Sequence, residues 1–162
     1  MGKLLFLTTS RPDIMTSVSF GATKNASPTV DDYDDLLQIV QYLYNTRDIG
    51  LTLYSSHQET SCVQLMTYVD ASYLSHDDAS SHTGFTIGMS SCGDEPRSFF
   101  HTKSRKQKLV STSSTHAEMK ALYELTLTLK FVINLLEELG RPTSLQVIIF
   151  EDSQPTIDLV TQ

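Results

Sequence analysis

Three acids in this chain could do chemistry together. Asp70 stands near the end of Val63 to Ser72, a run rich in β-branched and aromatic residues. Asp152 follows a continuous apolar run, Leu145 to Phe150. Glu118 opens a stripe formed by Leu122, Leu125, Leu129, Val132, Leu136 and Leu139, whose steps of three and four describe one face of a helix. A charge on a face that must pack is costly unless it is paired or bound to metal. Carboxylates crowded together repel, and their pKa values rise. A divalent cation removes that conflict, and Mg²⁺ prefers carboxylate and water oxygens. Two such ions can clamp the attacking and leaving oxygens of a phosphodiester. A second group, Lys103-Ser104-Arg105-Lys106-Gln107-Lys108, is the one dense basic run and could contact phosphates.

Each group also has a plainer reading. Asp70 could be a solvated acid at a strand end. Asp152 could be the N-cap of a following helix, a role Asp fills well. Thr115 and Glu118 have the Thr-x-x-Glu spacing of a capping box. The basic run could be a solvated loop. Taken singly the plain readings win; all three acids falling on elements that would converge is harder to assign to chance.

The elements that must position these residues follow from periodicity. Strands are expected over 63–72, 83–89, 98–102 and 145–151, and a helix over about 114–139. Gly140 and Pro142 mark the end of that helix. Short turns join the first three strands into an antiparallel meander, with the basic run after the third. The apolar run from Leu145 predicts a strand buried on both faces. Pro155 starts a last helix through Ile157, Leu159 and Val160. If the first and fourth strands are parallel neighbours, Asp70 and Asp152 become neighbours, and the helix stripe brings Glu118 to them.

Upstream, Pro12-Asp13 is expected to start a helix through Met15 and Val18, and Leu51 to Tyr54 a short strand. A polar linker, Ser55 to Ser61, follows. Tyr33-Asp34-Asp35 has the look of a polymerase metal element. That element needs a strand–turn–strand setting, whereas Tyr33, Leu36, Leu37, Val40, Leu43 and Tyr44 repeat at helical spacing. The acids there complement a helix N-terminus.

The 162 residues suffice for one domain with an appendage. A net charge of −7 excludes a molecule that binds nucleic acid by overall charge, so any such contact must be local. Cys62 and Cys92 have no metal-ligand spacing and fit reduced thiols of an intracellular protein. No apolar run has the length to cross a membrane.

Several of these stretches carry a resemblance. Thr67 to Ser72 (TYVDAS), Thr83-Gly84-Phe85, Lys103 to Gln107 (KSRKQ), Ser113 to Leu122 (SSTHAEMKAL), Leu135 to Gly140 (LLEELG) and Phe150 to Pro155 (FEDSQP) resemble the ribonuclease H domain of copia-type LTR retrotransposon polyproteins. Ser10 to Ile14 and Tyr42 to Gly50 are similar to the segment that joins polymerase and ribonuclease H regions. The resemblance covers nearly the whole chain. It implies an α/β fold, a ribonuclease H-like mixed sheet in the order β-β-β-α-β-α. That unit occupies residues 61–162, with a helical appendage over residues 1–60. It implies hydrolysis of the RNA strand of an RNA–DNA hybrid. Asp70, Glu118 and Asp152 would be catalytic and hold Mg²⁺ or Mn²⁺, and Lys103, Arg105 and Lys106 would hold the hybrid. No DNA synthesis is expected.

The partner would be the remainder of a polyprotein, in the cytoplasm, the nucleus or a virus-like particle. Three departures stand out. His116 replaces a common acid, and Tyr73 a usual Trp. The family also continues with a further strand and a fourth acid, for which Asp158 is no substitute by motif. On that count the domain is expected to be C-terminally truncated, with cleavage weak or absent. Two alternatives remain open: a non-catalytic remnant of the same fold serving as a binding module, and an unrelated α/β domain.

Overall fold

The computed structural model describes residues 1–54, 63–91, 98–140 and 145–161. The linker over 55–61, both cysteines and the turn around Gly93 and Pro96 lie outside the described residues. The central unit is a four-stranded sheet in the order β3-β2-β1-β4. Strands β1 (Val63–Ser72), β2 (His82–Ser91) and β3 (Ser98–Lys106) form the expected antiparallel meander. Helix α4 (Ser114–Glu138) crosses back, and β4 (Leu145–Phe150) pairs parallel with β1. Helix α5 (Gln154–Thr161) follows. This mixed α/β architecture is compatible with a ribonuclease H-like fold.

One face of the sheet and the inner face of α4 make the core. Leu65, Val69, Ala71, Phe85 and Ile87 from the strands meet Ala117, Ala121, Leu125, Leu129 and Val132 from the helix. The buried stripe therefore starts with small residues, Ala117 and Ala121, which let the first turns of α4 approach the sheet closely. Leu139, the last residue of the expected stripe, is the C-cap and is 67% exposed. Gly140 takes the left-handed conformation, with φ of 69°, and its N–H donates to the Glu137 carbonyl.

Three expectations need correction. Strand β3 runs through Lys106, so Lys103, Arg105 and Lys106 are strand residues and not a loop after it. Register carries the strand on, with Arg105 opposite Thr83 and Lys106 opposite His82. Strand β4 is not buried on both faces: it lies at the sheet edge, and Ile149 is 40% exposed. Leu51 to Tyr54 is not a strand. Tyr54 instead exchanges hydrogen bonds with one side chain, its N–H donating to Ser98 Oγ and its carbonyl accepting from it. At the N-terminal end of the described residues Gly2–Leu7 form a helix, α1.

The helical segment is organised by polar anchors. Pro12–Ile14 form a 3₁₀ turn that leads into α2 (Met15–Thr23). Helix α3 (Val30–Asn45) starts with a capping box between Thr29 and Asp32. Tyr33, Asp34 and Asp35 lie in α3, as their spacing predicts, and not in a strand–turn–strand element. The buried Arg11 guanidinium donates to both Asp13 carboxylate oxygens and to the carbonyl and hydroxyl of Thr46, tying the two ends of the segment. Helix α2 packs on β3, and its Phe20 stacks on His76 of the β1–β2 connection and on His82 at the start of β2. Among the described residues no helix is long and apolar enough to cross a membrane.

Candidate metal centre

Asp70 and Asp152 are brought together by register. The parallel β1–β4 ladder ends at Tyr68 opposite Phe150, so the residue two further along each chain is Asp70 on one side and Asp152 on the other. Glu118 comes from the second turn of α4, on the face that packs against β1. Ligand oxygens of Asp70, Glu118 and Asp152 all lie within 4.8 Å of one another.

The plainer readings of two acids fail on geometry. Ser113, not Thr115, is the N-cap of α4, and its hydroxyl accepts from the His116 N–H. Glu118 therefore takes no part in a capping box. Helix α5 begins at Gln154, and its first turn is held by Ser153, whose carbonyl accepts from the Thr156 N–H. Asp152 lies one residue too early to be that cap.

The three acids sit in unequal surroundings. Asp70 and Asp152 are exposed, and Glu118 is 6% exposed. Glu118 Oε2 is buried and has no hydrogen-bond partner. Burial, then the charges of Glu151, Asp70 and Asp152, push the Glu118 carboxyl up to about 7, against the pull of the Ala71 amide. An all-oxygen donor set, mutual repulsion and an orphaned buried carboxylate oxygen fit a hard divalent cation.

Glu151 escaped the sequence reading, which passed over it in favour of its neighbour. Its Oε1 accepts from the Ser153 N–H, and its Oε2 is buried without a partner. Burial raises its pKa, the Ser153 amide opposes that, and Asp152 and Asp70 add to it. The signal available in sequence was an acid doublet at the end of an apolar strand.

The three basic residues do not gather into one free patch. Arg105 donates to Glu124 Oε1 from Nε and from a terminal nitrogen, the latter at 2.5 Å. Lys103 lies 3.5 Å from Glu124 Oε2 and 5.5 Å from the centre of the Phe85 ring. Lys106 pairs with Asp78 at 2.5 Å, on the β1–β2 connection. His116, where the resemblance expects an acid, accepts from the Thr112 N–H through Nδ1 and so closes the loop before α4.

Curated proteins similar to the chain include two transposon polyproteins and one mitochondrial protein. The chain is 30% identical over 154 residues to the retrovirus-related Pol polyprotein from transposon RE2 of Arabidopsis thaliana, covering 94% of this chain and 10% of that protein. It is 29% identical over 154 residues to the corresponding polyprotein from transposon RE1 of the same plant, with the same coverage. An uncharacterized mitochondrial protein of that plant is 28% identical over 123 residues, covering 75% of this chain and 47% of that protein. No family model matches the chain, and no solved structure matches it. The chain spans about a tenth of the length of the two polyproteins. Its homologues are thus retrovirus-related Pol polyproteins of transposons, and its similarity is to one segment of them.

Proposed function

We propose that this chain is a ribonuclease H-like domain of a copia-type retrotransposon Pol polyprotein, hydrolysing the RNA strand of an RNA–DNA hybrid with Mg²⁺ or Mn²⁺. The observation that carries this reading is the convergence of Asp70, Glu118 and Asp152, one of them with a buried oxygen that has no donor. Homology to Pol polyproteins supports the origin. In this reading residues 61–162 form the nuclease unit and residues 1–60 a helical connection to the rest of the polyprotein.

The chain's own residues divide the work. Asp70 and Asp152, both exposed beyond the end of the β1–β4 ladder, would hold divalent cations at the surface, open to a phosphodiester. Glu118, buried on α4, would be the third ligand, and its carboxyl, pushed up to about 7, holds a proton near neutral pH when no cation is bound. Divalent cations, when bound, supply an activated water and neutralise charge on the leaving oxygen. In this reading Glu118 would also help to fix the geometry near the ribose 2′-hydroxyl, the group that separates RNA from DNA.

A non-catalytic binding module of the same fold is the second reading. It is favoured by the internal pairing of Lys103 and Arg105 with Glu124 and of Lys106 with Asp78. The deciding assay is a hybrid labelled on its RNA strand, incubated with protein and Mn²⁺, with Asp70→Asn as control. Cleavage by the parent and not by the variant is expected. A Mn²⁺-dependent rise in melting temperature without cleavage would select the binding module, and neither effect would discard the metal centre.

A further inference from the structure

Glu151 is the feature of the centre that the three converging acids leave unexplained. Its Oε1 is satisfied by the Ser153 N–H at 3.0 Å. Its Oε2 is buried and accepts from nothing. Among the charges that act on Glu118, that of Glu151 is the largest, ahead of Asp70 and Asp152. Glu118 and Glu151 therefore each hold a buried carboxylate oxygen without a hydrogen-bond partner, Glu151 directly precedes Asp152 in the chain, and Glu118 is 6% exposed. A buried carboxylate oxygen without a donor costs free energy, and so does its like-charged neighbour. A cation with its hydration water satisfies both oxygens at once, because Mg²⁺ and Mn²⁺ keep bound waters that donate hydrogen bonds.

We infer that Glu151 is a fourth carboxylate of the cation centre, acting through Oε2 on the water shell of the bound ion and raising the centre's affinity. The inference rests on the metal-centre reading above. Glu151 stands outside the set of three whose ligand oxygens lie within 4.8 Å of one another, so it would act through a bound water and not as a direct ligand. The neighbouring Ser153 amide fixes its orientation by holding the other oxygen.

The experiment is titration of Mn²⁺ into the metal-free protein, followed by calorimetry, together with melting in chelator. Glu151→Gln keeps the shape and the acceptor for Ser153 but loses the charge. It is expected to bind Mn²⁺ about tenfold more weakly, the effect of one unit charge a few ångströms from a divalent ion in a water-like medium. In chelator it melts no lower than the parent, because repulsion has been removed. Glu151→Asp keeps the charge and is expected to retain affinity within about threefold. Glu137→Gln, an exposed acid near the far end of α4, controls for net charge and leaves affinity unchanged.

Two outcomes overturn the inference, and they are distinguishable. If the parent binds Mn²⁺, Asp70→Asn does not, and Glu151→Gln binds like the parent, Glu151 merely shares a proton with Glu118 and the inference alone fails. If the parent binds no Mn²⁺, the metal centre and the inference fail together.

Discussion

The Gln107 side chain donates from Nε2 to the Ala117 carbonyl at 3.0 Å, one residue before Glu118. The same amide donates to Thr83 Oγ1 on β2 and its oxygen accepts from Ser111 Oγ, while its backbone N–H donates to the Ser81 carbonyl. Gln107 is 3% exposed, and this closed network ties the end of β3, the loop before α4 and the first turn of α4 to one point. The height of Glu118 above the sheet is set there.

Replacing Gln107 with Leu should therefore destabilise the fold and loosen the centre. Deleting the amide leaves the Thr83 and Ser111 hydroxyls buried without it, at a cost of about 2–4 kcal/mol. The melting temperature should fall, and the Mn²⁺-induced rise should shrink beyond the loss in stability. Retention of a full Mn²⁺ response in a destabilised Gln107→Leu would show that Glu118 is positioned by core packing alone.

Stability of the metal-free protein should depend on pH through Glu118. Burial and neighbouring acids raise its carboxyl from 4.5 to about 7. The folded state then keeps a proton that the unfolded chain gives up, so this contribution is full below pH 4.5 and lost as pH rises to 7. His82 works in the opposite direction. Burial, then His76, lowers it from 6.5 to about 4, so its contribution is full above pH 6.5 and lost as pH falls to 4. The parent curve sums both, and Glu118→Gln isolates the first. In chelator the variant should gain on the parent by roughly 2–3 kcal/mol between those limits, as pH rises. A difference constant with pH would contradict this.

The ion pairs of β3 make a prediction of opposite sign to ordinary charge removal. If Lys103 and Arg105 contact phosphate, Glu124 competes for them. Glu124→Gln should then tighten hybrid binding and steepen its salt dependence, each added phosphate contact raising the slope by about one. Replacing Lys103, Arg105 and Lys106 with Ala should do the reverse. Filter binding across a salt series reads both, and slopes equal to the parent's in both variants would leave these residues as braces between strand and helix.

The long-range plan of the fold was legible because two periodicities were clean. Alternation placed β1 over its observed range, and three-four spacing placed α4 to within a residue at its C-terminal end. Pairing of β1 with β4 followed from connection rules, and it put Asp70 beside Asp152. What was missed depends on neighbours rather than on composition. Lys103 to Lys106 read as loop because charged residues carry little strand propensity, yet backbone pairing to β2 extends the strand. Leu145 to Phe150 read as doubly buried because apolarity does not say whether a strand has one neighbour or two. Glu118 matched a capping box with Thr115 by spacing, but the N-cap is Ser113, two residues earlier. Glu151 needed three dimensions, because only there is its Oε2 seen to be buried without a partner.

The edge position of β4 has a kinetic consequence. Among the described residues β1 is its only strand neighbour, and its register with β1 joins residues as distant as Val63 and Leu145. The meander and α4 form from contacts nearer in sequence, so loop-closure entropy favours an order in which Asp70 and Glu118 are placed before Asp152. The stretch from Leu145 to Thr161 is then a unit that can detach while the rest stays folded. Detachment carries Asp152 and Glu151 away together. A cation that binds only the closed form would slow amide exchange along β4 far more than along β2, making the edge strand itself a reporter of occupancy.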